Sequence, residues 1–205
     1  MKKIIEWLIN LFTRQKPIQI KGIVVPEVKP IVIIKKMKLS DESRNILDKQ
    51  LRVDEGCILH VYKDSLGLYT IGIGRCLETK GLSVTECNYL NLDVYDKKGV
   101  IDALKVRGIT QVEADQLLSN DINEFTDELY NRITWIESAP EVVKIVLLNM
   151  AFNLGIAGLM SFHTTLGLIQ SGNYIEASNQ MLLSKWKDQV GDRAVRLSNL
   201  LASCN

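Results

Sequence analysis

The stretch Val53-Asp54-Glu55-Gly56, and then Tyr62-Lys63-Asp64-Ser65-Leu66-Gly67-Leu68-Tyr69-Thr70-Ile71-Gly72-Ile73-Gly74-Arg75, decides how this chain is read. Glu55 closes a helical pattern, and Asp64 stands just before a turn that contains Gly67. The glycines at 67, 72 and 74 suit a hairpin whose backbone must bend or let another group approach. Such a hairpin can fold one carboxylate over the other. Two carboxyl groups facing each other across a cleft are what glycosidic cleavage requires: one protonates the leaving oxygen while the other works from the opposite side of the sugar. Spacing alone does not establish that use, because most acids of a folded protein are solvated surface.

The residues around the two acids narrow the choice. Glu55-Gly56, Tyr62-Lys63-Asp64 and Tyr69-Thr70-Ile71-Gly72-Ile73-Gly74 closely resemble the catalytic segment of the phage-type lysozymes, glycoside hydrolase family 24, with the Glu, Asp and Thr at the same spacings. Further segments follow in the family's order. Ile109-Thr110, Glu113-Ala114 and Asn120-Asp121 resemble its long connecting helix, and Leu148-Asn149-Met150-Ala151-Phe152-Asn153-Leu154-Gly155 its central buried helix. Ser184-Lys185-Trp186 and Asp192-Arg193-Ala194 resemble its C-terminal cleft-lining segment. The resemblance covers about residues 45 to 200 and leaves the first 38 outside it.

The resemblance implies an α+β, predominantly helical, two-lobed lysozyme-like fold: a small β-hairpin lobe, a long connecting helix and a helical C-terminal lobe. It implies Glu55 as general acid, Asp64 as the group that orients or deprotonates the attacking water, and Thr70 as a hydroxyl that helps place that water. Arg193 would hold the Glu55 carboxyl, and Phe152, Asn153, Lys185 and Arg193 would meet sugar or peptide stem. Arg75 and Asp121 would form an ion pair between hairpin and connecting helix. The chain departs from the T-even phage members of the family at Leu66, where they have Glu, and at Val190, where they have Thr. Asn153 replaces a Gln and Arg75 a His. The implied activity is a peptidoglycan muramidase that cleaves the β-1,4 bond between N-acetylmuramic acid and N-acetylglucosamine with inversion and serves host cell lysis. Two rivals stand beside it. A lytic transglycosylase needs the Glu but no water-placing Asp and Thr, and a membrane-active or wall-binding bacteriolytic protein would use the body only for targeting.

Local signals agree with this architecture. At 205 residues and 46% hydrophobic content, the chain can bury one core or two small lobes that share a helix. Ser40 or Asp41 can cap a helix running to about Glu55, and Ser83 with Glu86 forms a capping box ahead of a helix from Val84 to about Val94. Thr110 with Glu113 forms another, ahead of Leu117, Leu118, Ile122, Phe125 and Leu129 at helical spacing. Glu141 to Phe152 is apolar on nearly every face, as befits a helix at the centre of a lobe. His60 and His163 match no metal or nucleophile pattern. No phosphate-binding glycine loop or metal-ligand cluster appears, so no cofactor, metal or nucleic acid is expected, and the protein is read as a monomer whose partner is bacterial peptidoglycan. Cys57, Cys76, Cys87 and Cys204 lack zinc or redox spacing and read as reduced thiols, with a bridge from Cys57 to Cys76 or Cys87 left open.

The net charge of +1 hides an asymmetry. Residues 1 to 38 hold nine Lys or Arg against Glu6 and Glu27, a charge of +7, while 16 bases and 22 acids leave the remainder at −6. Ile4, Ile5, Leu8, Leu11 and Phe12 fall on one helical face flanked by Lys2, Lys3 and Arg14, the pattern of an interfacial helix or of one docked on the body. A β-branched, Pro-punctuated linker follows. Glu6 and Asn10 interrupt the apolar start and no small-residue cleavage site follows, so the sequence reads without a signal peptide and the product is expected in the host cytoplasm until released to the wall. Charge and apolar face together point this arm at an anionic membrane surface. Deletion of residues 1–38 is expected to leave turbidity loss on purified wall unchanged and to reduce salt-sensitive killing of intact Gram-negative cells. Unchanged killing together with a lower melting temperature would place the arm on the body instead.

Overall fold

The computed structural model describes residues 38–204. Of the amphipathic helix and linker expected over 1–38, all but Lys38 lies outside the described residues. Helix α1, Asp41–Glu55, opens at Ser40, whose hydroxyl accepts the Ser43 N–H at 3.2 Å. Asp41 and Glu42 occupy its first turn, where acids suit the positive end of the helix dipole. Ser43, Leu47 and Leu51 recur every four residues and form its buried face. Gly56 ends it at φ 68°, in the left-handed region, with its N–H on the Arg52 carbonyl at 3.1 Å.

Strands β1 Ile58–Lys63, β2 Tyr69–Gly72 and β3 Arg75–Cys76 then form an antiparallel sheet in sequence order. Tyr62 stands opposite Thr70 and Lys63 opposite Tyr69, while the register shifts between Ile58 and Tyr62. Helices α2 Val84–Tyr89 and α3 Lys97–Arg107 complete this lobe. Helix α4, Gln111–Arg132, starts at the Thr110–Glu113 capping box. A 3-10 turn, Thr134–Ser138, leads to α5 Glu141–Met160, α6 His163–Gln170, α7 Tyr174–Leu182, α8 Lys185–Val190 and α9 Asp192–Ala202.

Two apolar cores explain the two lobes. Ile71, Leu77, Cys87, Leu90, Leu104 and Leu117 fill the smaller. Leu47, Leu51, Leu118, Ile122, Val146, Leu147 and Leu197 belong to the larger. Helix α4 serves both, since adjacent residues Leu117 and Leu118 point to different cores, and the hairpin divides likewise between Ile71 and Ile73. Helix α5 is buried along most of its length, which is why its sequence carries almost no polar face. Gly155, at φ 71° and ψ 161°, kinks it near its end.

One boundary differs from expectation. The helix opened by the Ser83–Glu86 box stops at Tyr89 rather than near Val94, because Asn91 turns left-handed at φ 52°. The Leu92 N–H bonds back to the Cys87 carbonyl at 2.9 Å, and a separate helix begins after Asp96, whose carboxylate caps the Gly99 N–H. All four cysteines are free thiols, so no bridge joins Cys57 to Cys76 or Cys87.

A buried charge cluster ties hairpin to helices. Arg75, 2% exposed, donates through Nε to Asp121 Oδ2 at 2.9 Å and through Nη2 to Glu86 Oε1 at 2.9 Å. Its Nη1 donates to Glu86 Oε2 at 3.2 Å and to the Gly81 carbonyl at 3.1 Å. Asn120 and the Ser83 N–H also donate to Glu86, each at 2.9 Å, and Lys80 reaches Asp121 and Glu124. Burial by itself would raise the Glu86 pKa, but the hydrogen bonds from Arg75, Asn120 and Ser83 outweigh it and hold the carboxyl at about 2. A carboxyl depressed in the folded state stabilises above its unfolded value, here 4.5, and loses that contribution as pH falls towards 2. Glu86→Gln is therefore expected to cost roughly 3 kcal/mol near neutral pH, the scale for breaking a buried ion pair, with the gap to wild type narrowing on acidification. Urea unfolding at neutral pH and near pH 3 checks this, and an equal gap at both would contradict it.

Candidate active site

Glu55 is the last residue of α1 and lies against the turn between β2 and β3. Gly74, at φ 71°, makes that approach possible, since a methyl group there would come within 3.2 Å of Glu55 Oε2. The side chain of the preceding residue, Asp54, is almost wholly buried. Both acids stand at the negative end of the α1 dipole, which opposes their charge. Two arginines of α9 offset it. Arg193 Nη1 donates to Glu55 Oε1 at 2.7 Å, and Arg193 Nε lies 3.4 Å from Asp54 Oδ2, while Arg196 binds Asp54 Oδ1. The guanidinium is itself oriented by α5: Nε donates to Asn149 Oδ1 at 2.9 Å and Nη2 to the Asn149 carbonyl at 3.0 Å. Asn149 Nδ2 in turn donates to Asp54 at 3.1 Å and to Gln50 at 3.2 Å. The Glu55 carboxyl is thus held on one oxygen, with about a fifth of its side chain open to solvent.

Asp64 is organised by the hairpin turn. Its Oδ1 accepts the N–H groups of Leu66 and Leu68, each at 2.9 Å, while Oδ2 faces the Thr70 hydroxyl at 3.3 Å. The Leu68 N–H, opposed by partial burial and joined by Leu66, Thr70 and the turn's Gly67 N–H, holds this carboxyl below the usual carboxylate range. Asp64 is therefore an ionised acceptor with one oxygen saturated and the other beside a hydroxyl. The Thr70 hydroxyl has one proton to share between Asp64 and the Leu68 carbonyl at 3.4 Å, and its own lone pairs stay available to a water. Leu66, 81% exposed, tops the same turn.

The remaining residues singled out in the sequence lie in the helical lobe. The Phe152 ring meets Phe125 at 5.4 Å between centroids, and exposed Asn153 accepts the Trp186 indole N–H at 2.8 Å. Lys185 is exposed at the start of α8 beside that indole. Val190 packs against the larger core. The structure joins Glu55 with Arg193, Asp64 with Thr70, and Arg75 with Asp121 by direct contacts, whereas Phe152 packs on Phe125 and Asn153 bonds Trp186 rather than either carboxylate. Asp54, Asn149 and Arg196 escaped sequence reasoning, although Asp54 and Asn149 contact Arg193 directly and Arg196 shares Asp54 with it. The one usable signal was Asp54, an acid at the end of a helix, where a basic partner is owed. Glu86 is both the cap residue its spacing from Ser83 predicts and, beyond that spacing, a partner of Arg75. Among the described residues, no three His, Cys, Asp or Glu side chains converge as metal ligands.

The arrangement offers a carboxyl carried by a helix end, a second, ionised carboxylate with an adjacent hydroxyl on a hairpin, and an arginine locking the first in place. Residues 52–201 match the family model described as phage lysozyme. The chain is also 29% identical over 157 residues to "Probable T4-type lysozyme 1" of Dictyostelium discoideum, covering 74% of this chain and 90% of that protein. "Probable T4-type lysozyme 2" of the same organism is 28% identical over 154 residues, with the same coverage. The pre-baseplate central spike protein Gp5 of Enterobacteria phage T4 is 27% identical over 171 residues, which is 81% of this chain and 29% of that longer protein.

Proposed function

The chain belongs to the phage lysozyme family, and from that premise we propose that Glu55, Asp64 and Thr70 hydrolyse the β-1,4 bond between N-acetylmuramic acid and N-acetylglucosamine with inversion. As a lysozyme, the protein is a hydrolase of peptidoglycan. The finer assignment rests on one observation above the others: Asp64 presents an ionised, backbone-anchored carboxylate whose second oxygen lies beside the Thr70 hydroxyl.

In this reading the neutral Glu55 carboxyl gives its proton to the glycosidic oxygen as the bond to the leaving sugar breaks. A water held between Asp64 Oδ2 and Thr70 Oγ1 attacks the anomeric carbon from the other face, and its proton passes to Asp64. The positive charge that develops on the sugar ring is met by the Asp64 carboxylate. Two N–H bonds to Oδ1 and a hydroxyl at Oδ2 stabilise the anion and make it a poorer nucleophile, which favours water activation over a covalent sugar intermediate. A transglycosylase, which forms its product without water, has no use for the Asp64–Thr70 pairing. Arg193 acts through Glu55: it fixes the carboxyl's position by one hydrogen bond and leaves the other oxygen directed at the Gly74 turn.

Phe152, Asn153 and Lys185 are proposed to meet the glycan or its peptide stem on the helical lobe, and residues 1–38 to contact an anionic membrane surface. Host cell lysis, with the protein held in the cytoplasm until its release, is the use proposed for the activity.

Glu55→Gln tests the assignment. The amide keeps the shape and can still accept from Arg193, so the fold should persist, but it cannot protonate the leaving oxygen. Lysis of purified wall is expected to fall at least about a hundredfold, the lower scale of general acid catalysis. Retention of more than about a tenth of the wild-type rate would remove Glu55 from the role, because it is far less loss than general acid catalysis supplies.

A further inference from the structure

The mechanism above leaves one polar group at the site without a task, the phenol of Tyr62. Tyr62 lies near the end of β1, directly opposite Thr70 of β2. Residues directly opposite in an antiparallel pair project from the same face, with Cβ atoms about 4.5–5.5 Å apart. The Tyr62 side chain therefore leaves the sheet beside the same hydroxyl that donates to Asp64 Oδ2 at 3.3 Å. Asp64 itself follows two residues later along the chain.

The phenol is half-buried, and its surroundings are anionic. Burial first, then the negative charges of Glu55 and Asp64, and last the Cys57 sulfur push its pKa above the ordinary value. The group thus stays protonated at working pH and lies in the field of both carboxylates. A tyrosine hydroxyl pairs within the protein when it is fully buried, and one open to the cleft is free to donate to a ligand. Among the described residues, the hydroxyls of Tyr62, Tyr69, Tyr89 and Tyr174 form no hydrogen bond while those of Tyr95 and Tyr130 donate, and of the four only Tyr62 stands opposite Thr70.

We propose that Tyr62 is a substrate-binding residue of the cleavage site, its hydroxyl donating to an oxygen of the sugar held between Glu55 and Asp64. The chemistry of the site asks for such a group. Asp64 is an acceptor only, the Glu55 proton goes to the leaving oxygen, Arg193 is spent on Glu55 and Asn149, and the Thr70 proton goes to Asp64 or the Leu68 carbonyl. A sugar entering this space offers hydroxyl and acetamido oxygens that need a donor. A lysine or arginine in Tyr62's place would pair with the Asp64 carboxylate, whereas a phenol donates without neutralising it. The ring also presents an apolar wall to the sugar's C–H face. No proton leaves the phenol in this role.

The inference rests on the muramidase reading, and one set of assays separates the two. Wild type and Tyr62→Phe are compared on soluble, uncrosslinked glycan strands by release of muramic-acid reducing ends, with melting temperatures measured alongside. Because the hydroxyl has no protein partner, Tyr62→Phe is expected to leave the melting temperature unchanged. Loss of one neutral hydrogen bond to substrate is expected to lower kcat/KM about three- to tenfold. Wild-type kcat/KM in Tyr62→Phe, to within about 1.5-fold, would overturn the inference alone, being less than the smallest effect expected of such a bond. A loss of activity matched by a lower melting temperature would also overturn it, by making the hydroxyl part of the folded scaffold. If wild type releases no muramic-acid ends, the muramidase reading fails and the inference falls with it.

Discussion

Helix α1 ends in two carboxylates, Asp54 and Glu55, at the pole of the helix where carbonyl oxygens already concentrate negative charge. Arg193, with Arg196 on Asp54, is what lets both remain there. It bonds Glu55 at 2.7 Å and approaches Asp54 at 3.4 Å, and its own orientation is dictated by the side chain and carbonyl of Asn149. Three helices therefore meet at one planar cation: α1 supplies the acids, α5 the Asn and α9 the Arg. A lysine could not reproduce this, since a point charge lacks the fixed fork that addresses several acceptors at once. The cluster belongs to the larger lobe, yet it sets the position of the group that must face the smaller one.

The hairpin is held from its other side by a second guanidinium. Arg75 follows the Gly74 turn on which Glu55 rests and is locked between Glu86 of α2 and Asp121 of α4. A buried arginine is costly to desolvate, and two carboxylates with the carbonyls of Gly81 and Leu117 repay that cost only in one geometry. The turn is accordingly fixed against α4, the helix whose apolar residues are divided between the two cores. Asp64, by contrast, is organised by its own turn through the N–H groups of Leu66 and Leu68. One carboxyl is positioned by long-range contacts and the other by local ones.

That difference decides what could be read from the sequence. The limits of α1, the hairpin between about 57 and 75, the capping box at Thr110–Glu113 and the fully apolar α5 follow from residues within a few positions of one another. So does the Asp64 turn, where Gly67 supplies the backbone freedom. Asp54, Asn149 and Arg196 could not be found this way, because their bonds to one another and to Arg193 span tens to more than a hundred residues. Helix α3 was missed for another reason: Asp96 caps it without the third-residue acid of a capping box. The break before it depends on Asn91 adopting a left-handed conformation, which an asparagine tolerates but does not announce. Tyr62 was legible as a strand residue, and only the register opposite Thr70 reveals which face it serves.

The central claim is that Asp64 and Thr70 place a water opposite Glu55, so that the sugar is attacked once and from the far side. The stereochemistry of the first-formed product reports this directly. Proton NMR on purified peptidoglycan, read before the sugar ends mutarotate, should show the new N-acetylmuramic acid reducing end as the α-anomer. Initial β-anomer would mean two displacements through a covalent intermediate, and a 1,6-anhydro end would mean that no water takes part; either result would contradict the account.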